Sequence, residues 1–156
     1  MSREDAAQTL AYYREYYTDV GLFENAPYPG MAYMLQTLSD AGAKLYVATS
    51  KPTFMSVRTL EKFDLAKYFV TVSGSDPSQP DSTKADVIRA ARDKFGVDMT
   101  KAVMVGDRSY DVAGAHECAI PCVGVLYGYG GREELTAAGA DYIAETVADL
   151  GSILLA

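Results

Sequence analysis

The chain has 156 residues, 49% of them apolar, and a net charge of −7 with 14 Lys and Arg against 21 Asp and Glu. That length suits one domain with a real core, and the composition is globular rather than disordered. The acidic balance argues against nucleic acid as a partner, and no apolar run reaches the ~20 residues of a bilayer-crossing helix, so a membrane is not an expected partner either.

Residues 5–20 place Leu10, Tyr13, Tyr16 and Tyr17 at helical spacing, which predicts a helix with a tyrosine stripe. Met1 to Asp5 carries early acids and no apolar segment of the kind a secretory signal needs, so the cytoplasm is the expected location. Tyr28-Pro29-Gly30 reads as a turn, with Pro29 as the first residue of the next helix or just before it. That helix would carry Met31, Met34, Leu35 and Leu38 on one face and stop at Ala41-Gly42.

A first strand is expected over 44–48, ending in Thr49-Ser50. A helix starting near Pro52 follows, with Phe54, Val57 and Leu60 inward. A second strand is expected over 68–73, a Gly/Ser/Asp/Pro-rich loop over 74–83, and a helix over 84–95 that stops at Gly96. The third strand covers 102–105 and ends at Gly106-Asp107; a small-residue helix through Val112, Ala113, Gly114 and Ala115 leads to a fourth strand over 122–126. The Gly-rich loop at 128–131 precedes a helix containing Leu135, and a short fifth strand is expected over 141–144. Helix-like and strand-like stretches thus alternate, the pattern of a parallel α/β sheet.

Cys118 and Cys122 are the only cysteines. With His116 they make too small a donor set for a metal, so free thiols, buried or half-buried, are expected, with His116 on a helix surface.

In open α/β sheets, ligands bind beyond the carboxyl ends of the strands. Thr49 and Ser50 would follow the first strand there, offering hydroxyls and backbone N–H groups to an anion at the start of a helix. Gly106-Asp107 and Asp111 place two carboxylates one turn apart, which suits a hard cation such as Mg2+. Lys84, at a loop-to-helix junction, can reach a phosphoryl oxygen and balance the clustered carboxylates.

Thr49, Lys84 and the Asp107/Asp111 pair, in that order on successive loops, resemble the second, third and fourth motifs of haloacid dehalogenase (HAD)-like phosphatases, in particular the phosphoglycolate phosphatase group. Tyr28-Pro29-Gly30, the run from Val47 to Pro52, Val105 to Arg108, Asp111 to Ala115, Gly124-Val125, Tyr127 to Gly130 and Ala140 to Ile143 are similar in style. The likeness extends from about residue 10 to the C-terminus. Ser82-Thr83-Lys84-Ala85-Asp86 stands where many members have Lys-Pro; with Gly106-Asp107-Arg108 it also looks like bacterial 5′-nucleotidase-type relatives.

The resemblance implies a Rossmann-like parallel sheet with flanking helices, as a HAD-like core over 27–156 preceded by the remnant of a helical cap over 1–26. It implies that Thr49 hydrogen-bonds the transferring phosphoryl group of a small phosphorylated metabolite, with Ser50 beside it, and that Lys84 neutralises its charge. Asp107 would bind Mg2+, and Asp111 would support that metal site or orient Lys84.

The family's first motif, an Asp-x-Asp that supplies the nucleophile and the general acid/base, has no counterpart upstream; Glu4, Asp5, Glu15 and Asp19 lie on or near the first helix. A phosphatase inactive on its own is therefore expected, its first motif lost by truncation or supplied by another chain, with the central first strand missing between the strands ending at Ala48 and Val105. Two apolar strand edges and the tyrosine stripe would then be exposed, implying a homodimer or a complementing chain. The alternative is a non-catalytic pseudo-phosphatase that binds a phosphorylated ligand or a protein partner.

Overall fold

The computed structural model describes residues 5, 8, 9, 12, 13, 16–18, 20–75 and 82–156. Leu10, Glu4, Glu15, Asp19 and most of the loop expected over 74–83 lie outside the described residues. The described positions between 5 and 18 are helical, as the tyrosine spacing predicts.

The regular elements that follow are α1 (Met31–Asp40), β1 (Leu45–Pro52), α2 (Thr53–Lys62), β2 (Phe69–Ser75) and α3 (Lys84–Phe95), then β3 (Met104–Gly106), α4 (Ser109–Glu117), β4 (Cys122–Val125), α5 (Arg132–Ala137), β5 (Tyr142–Ala144) and α6 (Val147–Leu155). Local chemistry explains their ends. The Thr83 hydroxyl accepts from Asp86 N while the Asp86 carboxylate accepts from Thr83 N, a reciprocal cap that starts α3. Gly96 stops it in the left-handed region at φ 65°.

All strand pairs are parallel, in two sheets: β1 with β2, and β3-β4-β5 with β4 central. Among the described residues β1 and β3 do not pair with each other. The two sheets are joined through helices, since α3 packs on β1, β2 and α4, while α4 packs on β3 and β4. β4 is buried along its whole length and its side chains alternate between two cores, as a central strand covered on both faces requires. Val123 and Val125 join Met34, Leu35, Leu38, Val147 and Leu150 from α1 and α6. Cys122 faces the other way, with Ile88, Val112, Ala115 and Leu135.

Two expectations are corrected, and one helix is added to them. Thr49 and Ser50 do not follow the first strand; they lie within it, because pairing with β2 resumes at Pro52↔Ser75 after a register shift beyond Ala48. Such an irregularity re-aims side chains at a strand end. Gly74 permits it, since a Cβ there would lie 2.4 Å from Lys51 O. Phe54 is not inward but 53% exposed. The inward face of α2 runs through buried Ser56 and half-buried Leu60, one turn apart, and Phe54 falls on the opposite side. Finally, α6 follows all the expected elements. Its signal is a second reciprocal cap, Thr146 with Asp149, followed by Leu150 and Leu154 at helical spacing.

The tyrosines near the N-terminus form an exposed surface. Tyr12, Tyr13 and Tyr16 are more than half exposed, and the Tyr13 and Tyr17 rings stack at 5.5 Å. Lys51, at the end of β1, lies 5.8 Å from the Tyr17 ring centre. Among the described residues no helix is long and apolar enough to cross a membrane.

Candidate active site

Lys84 links the middle of β1 to the first turn of α4, just beyond the end of β3. Its ammonium donates to Ala48 O at 3.1 Å and pairs with Asp111 Oδ1 at 2.9 Å, with the two side chains 8% and 5% exposed. The reciprocal cap at Thr83 makes Lys84 the first residue of α3. Gly114 lets α4 approach it, because a Cβ there would sit 2.7 Å from Lys84 Cβ.

Asp111 uses both oxygens. Oδ1 faces Lys84, while Oδ2 accepts the N–H groups of Asp107 and Arg108, both at 3.1 Å. Gly106 makes room for it: a Cβ at that position would lie 2.3 Å from Asp111 Cβ. One carboxylate thus ties the end of β3, the start of α4 and the Lys84 ammonium together.

Asp107 stands at the end of β3 beneath the loop that follows β4. Its Oδ2 accepts from Tyr129 N at 2.7 Å, and Oδ1 takes no hydrogen bond among the described residues. The loop approaches closely because residues 128 and 130 are glycine. A Cβ on Gly128 would lie 2.2 Å from Asp107 Cβ, and one on Gly130 2.0 Å from Asp107 O.

Thr49 is half-buried, and its Oγ1 accepts from Lys51 N at 3.1 Å. Ser50 is exposed and shares a cleft of about 530 Å3 with Lys84. The structure therefore joins Lys84, Asp107 and Asp111 in one hydrogen-bonded network and brings Ser50 to the same cleft as Lys84. Among the described residues no hydrogen bond connects Thr49 to that network.

Magnesium needs only one or two carboxylates, with waters and substrate oxygens completing its shell. Asp107, with one oxygen uncommitted, fits that requirement; Asp111 has both oxygens engaged. Among the described residues no three His, Cys, Asp or Glu side chains converge as a metal-binding group.

The family model for haloacid dehalogenase-like hydrolases matches residues 1–125. The chain belongs to that family. Among its relatives is a 5′-nucleotidase of Pseudomonas aeruginosa, 32% identical over 96% of this chain and 67% of that protein. Another is a phosphoglycolate phosphatase of Agrobacterium fabrum, 37% identical over 68% of this chain. The chain spans about half the length of the phosphoglycolate phosphatases of A. fabrum and Caulobacter vibrioides, 46% and 53%. A solved structure of a predicted phosphatase from Clostridium acetobutylicum superposes with a TM-score of 0.92 at 44% identity, covering 99% of this chain and 72% of that one.

In this HAD-like hydrolase, sequence reasoning passed over Glu134. Its Oε1 accepts from Arg108 Nε at 2.9 Å and from Ser109 N at 2.8 Å, so α5 braces the start of α4. The Ser109 N–H first, and then the Arg108 guanidinium, hold its carboxyl below the usual range. Its place in the first turn of a helix after a glycine loop was the available signal, but nothing local names Arg108 as its partner.

The thiols are free, as expected: Cys118 is half-buried and Cys122 buried, and burial pushes the Cys122 thiol up to about 12. His116 lies at a helix surface, with Nε2 2.9 Å from Asp141 Oδ2, which also accepts from Cys122 N at 2.8 Å. The His116 contact first, and then the Cys122 N–H, hold the Asp141 carboxyl below its ordinary value. A depressed carboxyl stabilises the fold above its unfolded pKa, near ~4, and loses that contribution as pH falls through the lower folded value. Asp141→Asn is therefore expected to lower the urea midpoint at neutral pH. The gap to the parent protein should narrow as pH falls below about 4. A gap that stays constant through that acid range as well would show that the Asp141 charge adds nothing.

Proposed function

We propose that this chain holds the phosphoryl group of a small phosphorylated metabolite at the carboxyl ends of β1 and β3, as part of a Mg2+-dependent phosphomonoesterase of phosphoglycolate-phosphatase type. The observation that carries the proposal is the buried Lys84 ammonium, pinned between Ala48 O of β1 and Asp111 in the first turn of α4. A cation held so firmly is already in place when charge develops on a phosphoryl oxygen. Similarity to a 5′-nucleotidase as well as to phosphoglycolate phosphatases keeps a nucleotidase-type substrate as the alternative.

Each residue has a task in this scheme. Lys84 offsets phosphoryl charge, and the hydroxyls of Thr49 and Ser50 donate to phosphoryl oxygens. Asp111 orients Lys84 and shapes the turn that presents Asp107. Asp107 would hold Mg2+, which when bound offsets further negative charge on the phosphoryl oxygens. Residues 1–26 would be the remnant of a helical cap and 27–156 the core, and the free thiols suit a cytoplasmic setting.

The attacking carboxylate belongs to neither Asp107 nor Asp111. In our proposal a strand that lies against the edges of β1 and β3 left unpaired among the described residues supplies it, from a further segment of the same protein or from a complementing chain of different sequence. The described chain alone then binds phosphate without turnover, acting as a pseudo-phosphatase until it is completed.

Two measurements on the purified chain with Mg2+ test this. Phosphate release from 2-phosphoglycolate, nucleoside monophosphates and an aryl phosphate is expected to match that of an Asp107→Asn control. Orthophosphate at a hundredfold excess over its Kd is expected to stabilise the fold by about 2.7 kcal/mol. Turnover that Asp107→Asn abolishes would overturn the need for a strand beyond the residues of this chain. A melting temperature indifferent to orthophosphate would overturn the phosphoryl site itself.

A further inference from the structure

The cations around the proposed phosphoryl site are unequally engaged. Lys84 is buried and held by Ala48 O and Asp111, and the Arg108 guanidinium is tied to Glu134. Lys51 differs from both. It is half-buried and has no carboxylate partner among the described residues; its ammonium lies 5.8 Å from the centre of the Tyr17 ring instead. In a chain of net charge −7, where acids outnumber bases, a half-buried cation left without a carboxylate calls for a reason.

Residues 48–51 form one short unit between two lysines. Ala48 O accepts from the Lys84 ammonium, and Thr49 Oγ1 accepts from Lys51 N, both at 3.1 Å. Lys84 therefore holds one end of the Thr49–Ser50 segment, and Lys51 follows directly at the other. Accepting from Lys51 N leaves the Thr49 hydroxyl hydrogen available to donate, beside the residue that carries the ammonium. The backbone of Lys51 is fixed, because β2 packs so close at Gly74 that a Cβ there would lie 2.4 Å from Lys51 O. Only its side chain is free to move. The Tyr17 ring, stacked on Tyr13, holds that side chain differently from a carboxylate. A ring quadrupole attracts a cation without cancelling its charge, so the ammonium keeps its pull on an anion.

We propose that Lys51 is the anion-capturing residue of this site: its ammonium leaves the Tyr17 ring and contacts an oxygen of the phosphoryl group held by Thr49 and Ser50. Burial and partners divide the work between the two lysines. Lys84 cannot move without breaking its pair with Asp111, so it acts as a fixed charge. Lys51 has a flexible four-carbon stem and exchanges a ring for an anion, a substitution that uncovers no buried carboxylate. Its uncancelled charge also draws an anion toward an otherwise acidic protein. This inference rests on the phosphoryl site proposed above and adds a ligand-contacting residue to it.

Calorimetric titration of the chain with orthophosphate in Mg2+, at low and at moderate salt, tests it. Lys51→Met is expected to weaken binding about tenfold, the loss of one charge-assisted contact, and to flatten the dependence of affinity on salt. Lys51→Arg keeps the charge and should stay within about threefold of the parent. Lys44→Met is the control for net charge. It removes an exposed lysine just before β1, at the opposite end of the strand, and should change affinity by less than about twofold. Tyr17→Glu would set a carboxylate beside the ammonium and is expected to weaken binding as much as Lys51→Met does. Lys51→Met within about twofold of the parent, or Lys51→Arg as weak as Lys51→Met, would overturn the inference and leave the phosphoryl site standing. Failure of the parent chain to bind orthophosphate would overturn both.

Discussion

Asp111→Ala is expected to destabilise the protein by about 3–5 kcal/mol, the range for breaking a buried ion pair from one side. The loss has two parts. The Lys84 ammonium, 8% exposed, would keep only the Ala48 carbonyl as a partner. The N–H groups of Asp107 and Arg108 would lose their shared acceptor, and an unsatisfied buried donor costs about 1–3 kcal/mol. Lys84→Met should cost less, because Asp111 retains both backbone donors. The double variant should be milder than the sum of the single ones, since residues in one network couple. Urea unfolding of the three variants gives the coupling directly. A loss below about 1 kcal/mol for Asp111→Ala would place the pair with ordinary surface salt bridges and remove the argument for a preorganised cation.

The second large effect is expected at Gly130. An added methyl would lie 2.0 Å from Asp107 O, and backbone, unlike the tip of a flexible side chain, cannot step aside cheaply. Gly130→Ala should therefore cost about 1–3 kcal/mol as an overpacked site, and the loop should lift from Asp107. Amide exchange at Tyr129 reads the second consequence, because its N–H bond to Asp107 Oδ2 is the contact that breaks. Gly131→Ala is the control: nothing lies within 4 Å of its added Cβ, and a change within about 0.5 kcal/mol is expected. Equal stability and equal Tyr129 protection in Gly130→Ala and Gly131→Ala would mean that the loop does not hold Asp107.

Both predictions concern a site whose residue types are legible in the chain but whose connections are not. Asp111 was open between supporting a metal and orienting Lys84, because spacing alone shows a carboxylate one turn beyond Asp107 and not which atoms its oxygens meet. The same spacing logic put Phe54 inward, since Phe54, Val57 and Leu60 do recur at helical intervals. The side of α2 that meets the sheets passes through Ser56, a choice made by where β1 and β2 lie. Glu134 was invisible for a related reason: it acts on Arg108 and Ser109, far from it in sequence.

Local signals, by contrast, read correctly. The helix over 84–95 stops at Gly96 as read, because a left-handed glycine satisfies the last turn locally, and Met34, Leu35 and Leu38 face the core because α1 presents a single apolar face. The order Thr49, Lys84, Asp107, Asp111 and the alternation of helix and strand were likewise enough for the family and the parallel α/β fold, since both are properties of the chain in sequence order. Tertiary structure decided the rest. It carried β1 on through Thr49 and Ser50 and paired Lys84 with one oxygen of Asp111 while the other braced the Asp107 turn. It also opened a cleft between α3 and α4. Those outcomes depend on how closely separate elements approach, and that is set by glycines such as Gly74, Gly106 and Gly114, whose missing side chains have meaning only once a neighbour is in place.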